Sequence, residues 1–501
     1  MQSILKKLFH KDPFRVPQSC QYTSFRIGYK RLKNQFKLKD TVIERETYPS
    51  MSANLGFETI GNATITAFDN TRPIITTDPW VDGSPYFGSW GHSYEIPKQQ
   101  RQNIYDSKYV WISHGHPDHL DALSLEQFKD SIFLIPDHHG DRIFNDLSEK
   151  GFNTEIIRSD IWRPLSKHIK IKSFADWNQD AALLISIGNK DIILNLNDGQ
   201  GLGWAKNIKR EIKKFKNRFL LKLFGWGDSD MINIYDIDGH FIAPPASIKP
   251  LVGKMYNQGM KEWNCNFSIP FSSSHRYQRN DSRHINNYVT PLSDHYTGFD
   301  GSLGVLLPAF VTWETVTQEY NEIKPAQLEK IFHPPERFGD SWSDQLENVD
   351  FNFVVDYFNQ IEHLKNWLGN IHFVVGGIKN TLKISNSKTE IIFEVPRNSL
   401  IAAVKYEIFD DLLIGNFMKT TLINFSGLGH DFTPYVTKYA DNGLAKNVLE
   451  VKKYFQAYQK KSGFSYLSDR FMFKTEKIFR KHISPETKLY KIAKPFKEIL
   501  R

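Results

Sequence analysis

Four side chains that can bind a metal lie within six consecutive residues, at His114, His116, Asp118 and His119. They directly follow the apolar segment 109–112, which is typical of a strand. Residues two apart in extended chain point to the same side, so the first two histidines can reach one ion. The Gly and Pro between the four residues allow a turn towards a second centre. Imidazole and carboxylate groups suit zinc or iron, so this spacing predicts a metal site more readily than a chance clustering of the chain's 17 histidines.

The segments around this motif have the patterns of alternating strands and helices, which predicts an α/β fold. Predicted strands occupy residues 62–67, 73–77 and 131–136, and a short helix is predicted at 123–129. Residues 181–187 and 192–196 form a predicted hairpin around a Gly-Asn-Lys-Asp turn. Its second strand leads into Asn197, Asp198 and Gly199, so it can present a carboxylate to the metal motif.

The length of 501 residues predicts more than one domain. We expect four parts, namely a basic arm at 1–44, a metal-binding domain at 45–304, an α/β accessory domain at 305–460 and a basic tail at 461–501. Residues 1–40 carry a net charge of +8 and residues 461–501 one of +7, whereas the chain as a whole is +8. These ends are either solvated arms or surfaces for peripheral contact with an anionic membrane. We expect no specific nucleic-acid partner.

The cysteines and the hydropathy pattern predict a cytoplasmic protein. Cys20 and Cys265 are the two cysteines, too few for a disulfide framework or a cysteine-based metal centre. No apolar run approaches the roughly 20 residues that span a bilayer. The first residues lack the apolar run of a signal peptide.

With these motifs in place, the chain resembles the metallo-β-lactamase superfamily. The resemblance implies a four-layer αββα sandwich with the metal site along one edge, followed here by the α/β accessory domain. It also implies that His114 and His116 bind one ion, that Asp118 and His119 bind a second, and that Asp198 bridges the two.

Within that superfamily, the chain resembles the CMP-N-acetylneuraminic acid hydroxylases and their neighbours, the UlaG-like lactonases and the N-acyl-phosphatidylethanolamine phospholipases. The similar segments are 77–80, 111–119 and 193–198. Such hydroxylases carry an N-terminal Rieske domain, which needs two Cys and two His in paired motifs. Residues 1–45 hold one of each, so we expect that domain to be absent.

Two further metal ligands are implied by the resemblance. A third histidine is usual before the bridging acid, but residues 174–178 contain none; Asp176 is either an oxygen ligand in its place or an ordinary loop carboxylate. A last histidine is expected on a late loop. His275, after the apolar segment 269–271, is the best candidate, with His295 as the competitor and His240 and His284 less well placed.

Substrate contacts are expected on two loops near the motif. Aromatic residues between Trp80 and Tyr94 form either a pocket wall or ordinary loop packing. Arg276 and Arg279 lie close to His275 and could meet a phosphate or carboxylate, although surface arginines are common.

The predicted chemistry is hydrolysis with a metal-activated water. Two zinc ions, or iron or manganese in their place, lower the pKa of a shared water. Asp118 and His119 are the predicted catalytic residues, Asp118 either as a ligand or as an orienter of the water. The expected substrate is a phosphate- or sugar-containing small molecule or lipid. The alternatives are an iron-dependent hydroxylase with a separate electron donor, and a non-catalytic binding protein with a degenerate site.

Overall fold

The computed structural model describes residues 52–225, 231–244, 251–272, 274–429 and 431–470. The described strands are β1 Leu55–Ile60, β2 Ile65–Asp69, β3 Arg72–Thr77, β4 Trp90–His92, β5 Tyr109–Trp111, β6 Ile132–Pro136, β7 Asn153–Ile157, β8 Arg163–Pro164, β9 Ile169–Ala175, β10 Ala181–Ile187, β11 Asp191–Asn197, β12 Asn217–Lys222, β13 Ile234–Tyr235, β14 Phe267–Pro270, β15 His275–Tyr277, β16 Val305–Leu306, β17 Phe310–Glu314, β18 Glu319–Glu322, β19 Asn370–Val375, β20 Ile378–Lys383, β21 Glu390–Glu394 and β22 Lys419–Ile423. The described α-helices are α1 Pro85–Gly88, α2 Lys98–Tyr105, α3 Ala122–Leu125, α4 Arg142–Glu149, α5 Ala205–Ile212, α6 Val252–Trp263, α7 Asn348–Asn359, α8 Arg397–Lys405, α9 Phe409–Gly415, α10 Thr433–Val436 and α11 Val448–Ser462. The predicted N-terminal arm and most of the predicted C-terminal tail lie outside the described residues.

The strands form a mixed α/β protein with several sheets. One sheet has the order β18-β17-β1-β2-β3-β5-β6-β7, and a second has the order β16-β14-β12-β11-β10-β9-β8. Each sheet combines an antiparallel half with a parallel half. Within the described part of the chain, no helix is both long and apolar enough to cross a membrane.

The two large sheets share one apolar core. Inward side chains of the first sheet, such as Ile75 and Trp111, are buried in the same cluster as Leu183 and Ile193 of the second. Helices α2, α3 and α4 cover a separate apolar cluster on the other side of the first sheet. Helices α5 and α6 do the same for the second sheet. Burial on both faces explains why β10 consists almost wholly of apolar residues.

The predicted hairpin before Asp198 is confirmed. β10 pairs with β11 in antiparallel register, with Leu184 opposite Leu194. The turn passes through Gly188, which has a φ of 56° and therefore adopts a backbone conformation that favours glycine. The hairpin places Asp198 immediately after β11, at one edge of the second sheet.

The first residues of the predicted accessory domain belong to the large sheets. β16 pairs with β14, and β17 pairs with β1, so the sheets extend past the predicted boundary at residue 304 to residue 322. A third sheet follows, with the order β13-β22-β21-β19-β20. It packs with α7, α8 and α9 around a separate apolar core. We refer to residues 335–460 as the C-terminal unit.

Parallel pairing brings the ends of several strands to one place. β3 and β5 are parallel neighbours, so Asp78 and the motif loop leave the sheet at the same edge. Asp78 Oδ1 accepts a hydrogen bond from Ser113 N at 2.7 Å. Its Oδ2 accepts one from Asn197 Nδ2, at the end of β11, also at 2.7 Å. Asp78 therefore links both sheets beneath the metal motif.

Candidate metal centre

The motif loop leaves β5 and is closed by α3. Ile112 and Ser113 follow the strand, and the loop then turns through residues 114–121. Asp121 is the N-cap of α3, and its Oδ1 accepts a hydrogen bond from Ser124 N at 2.8 Å. This cap fixes the end of the loop.

His114, His116 and Asp198 form the first candidate ligand group. His114 Nε2 lies 2.9 Å from His116 Nδ1 and 4.0 Å from Asp198 Oδ2. One ligand atom from each residue lies within 4.8 Å of the others. The structure thus brings together the two predicted histidines of the first ion and the predicted bridging acid.

Asp118 and His119 lie close to the carboxylate of Asp198. His119 Nε2 is 3.2 Å from Asp118 Oδ2 and 3.5 Å from Asp198 Oδ2. Both His119 Nε2 and Asp198 Oδ1 are buried without a well-formed hydrogen bond to any described residue. Buried polar atoms are normally hydrogen-bonded. These two atoms are therefore suited to bind a metal ion.

In His114, His116 and His119, the ring nitrogen that faces away from the candidate centre lies close to a polar group of the protein. His114 Nδ1 lies 2.8 Å from Ser113 Oγ. His119 Nδ1 faces the acceptor Asp78 Oδ2 at 3.4 Å and the amide donor Asn197 Nδ2 at 2.9 Å, and Asp78 Oδ2 is the partner to which an Nδ1–H can donate. His116 Nε2 lies 3.1 Å from Asp410 Oδ2. Metal-binding histidines commonly have their second nitrogen held in this way, because the partner fixes the ring orientation.

The pKa of one imidazole is lowered and those of the other two are raised. Burial, with His119 and His116 nearby, holds the pKa of His114 well below its usual range. Burial also acts to lower the pKa of His116, but the hydrogen bond and charge of Asp410 outweigh it and raise that pKa to about 9. Burial is likewise outweighed at His119, where Asp118 and Asp198 raise the pKa. The carboxylates therefore favour positive charge here, carried by protons or by a metal ion.

Tyr86 fixes the orientation of Asp118. The Tyr86 hydroxyl donates a hydrogen bond to Asp118 Oδ1 at 2.5 Å, which leaves Oδ2 facing His119. Tyr86 and Phe87 both have positive φ values, of 54° and 58°. Positive φ is uncommon for bulky residues, and such strain occurs where a turn must present a particular side chain.

Asp176 does not belong to a candidate ligand group in the described part of the chain. Its Oδ1 accepts a hydrogen bond from Asn178 N at 2.8 Å, as in a loop turn. Asp180, four residues later, lies closer to the motif, with its Oδ1 3.9 Å from His114 Nδ1. Burial and the charge of Asp198 raise the pKa of Asp180 to about 6. Of the two loop carboxylates, Asp180 is therefore better placed to contact the centre.

His275 lies apart from the candidate ligand groups. β15 pairs with β4, which places His275 opposite His92 and stacks its ring on Trp90, with centroids 3.6 Å apart. The competitor His295 is also buried elsewhere, 2.7 Å from the hydroxyl of Tyr256. The structure thus places neither histidine among the groups that gather at Asp198.

The expected substrate loops are mostly packed inside the protein. Trp80, Tyr86 and Trp90 are each at most 2% exposed, so this aromatic cluster is interior packing in the described structure. Arg279 is fully buried and binds Asp281 and Asp340. Solvent reaches the candidate centre at three side chains that are each about one-fifth exposed, His116, Asp180 and Asp198.

Asp410 and Asp411 lie beside His116 and are not among the ligands predicted from the sequence. Both lie at the start of α9 in the C-terminal unit, and each is at most 3% exposed. Together with His116 they form a second candidate ligand group. The segment 410–413 is a weak match to the hydroxylase family, but acidic residues in the first turn of a helix usually complement its dipole, so their position did not mark them as metal ligands.

The sequence matches to known proteins are short. No family model matches the chain. The chain is 32% identical over 81 residues to a protein of Mycolicibacterium smegmatis named "Putative Rieske 2Fe-2S iron-sulfur protein", covering 16% of this chain and 15% of that one. It is 26% identical over 105 residues to the cytidine monophosphate-N-acetylneuraminic acid hydroxylase of Cricetulus griseus, covering 20% and 19%. The chain therefore matches less than a fifth of the length of either relative.

Among solved structures, the chain has a similarity to the isothiocyanate hydrolase from Delia radicum gut bacteria. The sequence identity is 15%, and the match covers 44% of this chain and 84% of that one. The TM-score is 0.28, which is too low to establish a common fold.

Proposed function

We propose that this chain is a metal-dependent hydrolase with a binuclear centre. His114, His116 and Asp198 would hold one ion, and Asp118, His119 and Asp198 the other. The observation that carries the proposal is the convergence of these five side chains, with Asp198 Oδ1 buried and without a hydrogen bond among the described residues. Zinc is the metal that we expect first, because imidazole and carboxylate donors suit it.

We also propose that the two large sheets and their helices form the four-layer αββα sandwich of the metallo-β-lactamase superfamily. The shared core between the sheets and the helices on their outer sides support this arrangement. So does the position of the motif after β5 and of Asp198 after β11. The C-terminal unit would then be an accessory domain that begins after β18.

The chemistry follows from what each residue can do. When bound, such ions lower the pKa of a water molecule and polarise the bond under attack. Asp118 has one oxygen occupied by Tyr86, so its Oδ2 is the atom available to bind an ion or accept a proton. Asp180, about one-fifth exposed, lies on the open side of the centre, where it can meet a proton from substrate or solvent.

We infer that the substrate is a phosphate- or sugar-containing small molecule or lipid. Polar side chains beside the motif support this inference: His138, Arg142, Gln179 and Asn442, together with the apolar Ile135, Pro136 and Ile143, line a small cavity of about 10 Å³, roughly the room that one water molecule needs. Asn442 also borders the motif loop, since its Oδ1 lies 3.0 Å from where a side chain on Gly115 would begin. Amide and guanidinium groups suit hydroxyl and phosphate oxygens.

Removing and restoring the metal tests this function. We expect chelation to abolish hydrolysis of a phosphodiester, lactone or phospholipid, and zinc to restore it, because the carboxylates and imidazoles alone lack an activated water. The measurement is turnover of bis-p-nitrophenyl phosphate, a lactone panel and phospholipid vesicles before and after reloading. Turnover that is unchanged by complete metal removal, or absent from the zinc-loaded protein on every class, would contradict the proposal.

A second candidate is an iron-dependent hydroxylase that takes electrons from a separate protein. The matched relatives named as hydroxylases and as Rieske proteins favour it. The carboxylate-rich surroundings, with Asp410 and Asp411 near His116, are also compatible with iron. Such a reaction consumes O₂ and two electrons for each hydroxyl group formed. Reductant-dependent O₂ consumption by the iron-loaded protein would distinguish it from hydrolysis.

We further propose that the basic ends contact anionic membranes. Residues 461–501 have a net charge of +7, and Phe464 and Leu467 are 77% and 49% exposed just before the last described residue. We expect the protein to sediment with phosphatidylserine vesicles at low salt and to dissociate in 1 M salt, where the Debye length falls to roughly 3 Å. Equal binding to neutral phosphatidylcholine vesicles would contradict this electrostatic attraction.

A further inference from the structure

His116 contacts the candidate centre and the C-terminal unit through different ring nitrogens. Its Nδ1 lies 2.9 Å from His114 Nε2, on the side of Asp198. Its Nε2 lies 3.1 Å from Asp410 Oδ2, although the two residues are 294 positions apart. One nitrogen of a neutral imidazole carries the proton and the other carries the lone pair. A carboxylate beside Nε2 places the proton there and leaves the lone pair on Nδ1.

We propose that Asp410 is a positioning residue that holds His116 with Nδ1 turned towards the metal, so that the C-terminal unit completes the centre. This inference rests on the proposed metal site. It goes beyond that site because neither the motif nor its spacing assigns a role to Asp410. Outer-shell carboxylates of this kind fix the tautomer of a ligand histidine and strengthen its bond to the metal.

Asp410 is well anchored for this role. It lies in α9, whose neighbouring residues Phe409 and Leu412 are fully buried in the core of the C-terminal unit. Asp441 Oδ2 lies 3.4 Å from the backbone N of Asp410, and the hydroxyl of Tyr357 donates to Asp441 Oδ1 at 2.5 Å. The backbone that carries the Asp410 carboxylate is therefore held by a buried polar chain through Asp441 and Tyr357.

The C-terminal unit is also joined to the motif side at other points. Ser89 Oγ donates to the carbonyl of Gly415, at the end of α9, at 2.5 Å. The amide of Asn416 donates to the hydroxyl of Tyr277 at 2.9 Å. Arg142 donates to the carbonyls of Tyr406 and Glu407, just before α9. These bonds fix α9 on both sides of the His116–Asp410 contact, so its geometry is set by the fold.

The charges around Asp410 fit a role in orientation. Asp410, Asp411 and Asp441 are all buried, and Arg142 is the nearby guanidinium. A buried carboxylate is stable when it accepts hydrogen bonds from a charged or strongly polarised donor. The N–H of a metal-bound imidazole is such a donor, so metal binding and the Asp410 contact should strengthen each other.

The test compares Asp410→Ala and Asp410→Asn with Asp411→Asn and with the exposed surface control Asp356→Asn in the full chain. Zinc affinity is measured by chelator competition, and the ring tautomer of His116 by ¹⁵N shifts of histidine-labelled, zinc-loaded protein, assigned with His116→Gln. We expect Asp410→Ala to weaken zinc binding by about 10- to 100-fold, as loss of an outer partner does. The His116 signal should also lose its single tautomer. Asp410→Asn, which keeps an acceptor oxygen, should restore the tautomer and part of the affinity.

Three different results would overturn the inference, and each points to a different explanation. Unchanged affinity and unchanged shifts in Asp410→Ala would show that the contact has no role. Loss of one whole zinc equivalent in both Asp410→Asn and Asp411→Asn would make these residues direct ligands. Wild-type protein that binds no zinc or iron would overturn the proposed function as well. If Asp410→Ala does not fold, the affinity and shifts of Asp410→Asn, compared with Asp356→Asn, decide the question.

Discussion

Replacing Asp198 by alanine is expected to abolish turnover while leaving the protein folded. Its Oδ2 lies 4.0 Å from His114 Nε2 and 3.5 Å from His119 Nε2, so one carboxylate reaches both proposed metal positions. Losing a residue that hydrogen-bonds to a metal ligand lowers metal affinity or activity by up to roughly 100-fold. Losing a ligand shared by both ions should lower activity by more than that. The fold should change little, because Asp198 follows β11 in a loop and its charge repels the neighbouring carboxylate of Asp180.

The measurement is kcat/KM with the best substrate class, together with the thermal midpoint of the metal-free protein. Asp106→Ala serves as the matched control, because it removes an exposed carboxylate after α2 and away from the motif. An Asp198→Ala protein that is folded and keeps more than half of the wild-type turnover would contradict the assignment of Asp198 as the bridging ligand.

Replacing Arg279 by alanine is expected to destabilise the protein by about 3–5 kcal/mol, the usual cost of breaking a buried ion pair. The guanidinium is fully buried and donates to Asp281, to Asp340 at 2.8 Å and to the carbonyl of Phe87 at 2.8 Å. Without it, the fully buried carboxylate of Asp340 would lose its charged partner. The effect should extend to the centre, because Phe87 follows Tyr86, which holds Asp118.

Urea unfolding measures this loss as a lower midpoint. The control is Arg283→Ala, which removes an exposed arginine from the same loop region. A double variant, Arg279→Ala with Asp340→Asn, should regain part of the stability because it removes the unpaired charge. Equal midpoints for the two single variants would show that the buried pair contributes nothing.

The motif and its supporting strands were accessible to prediction because they are local. His114 and His116 follow a strand, and the hairpin before Asp198 has a strong turn signal, so residues a few positions apart determine both features. Strand pairing over long separations is not local. β17 pairs with β1 about 250 residues earlier, which is why the sheets extend past the boundary predicted at residue 304.

The other predicted ligands, Asp176 and His275, and the contact of Asp410 depend on geometry that the sequence does not reveal. Asp176 and Asp180 lie in one loop, and the direction of that loop places Asp180 nearer to His114. His275 follows an apolar strand as expected, but its pairing with β4 directs the ring onto Trp90. Asp410 reaches His116 through the docking of the C-terminal unit, which no spacing within the motif could indicate.

The most direct test of the binuclear centre is the metal content of protein purified without oxygen. Elemental analysis of the wild type should find about two ions per chain, since two neighbouring positions share Asp198. Asp198→Ala should contain markedly less. Two zinc ions would favour the hydrolase, and two iron ions would favour the hydroxylase. Wild-type protein without stoichiometric metal, and with no uptake of zinc or iron on reloading, would contradict the proposed centre.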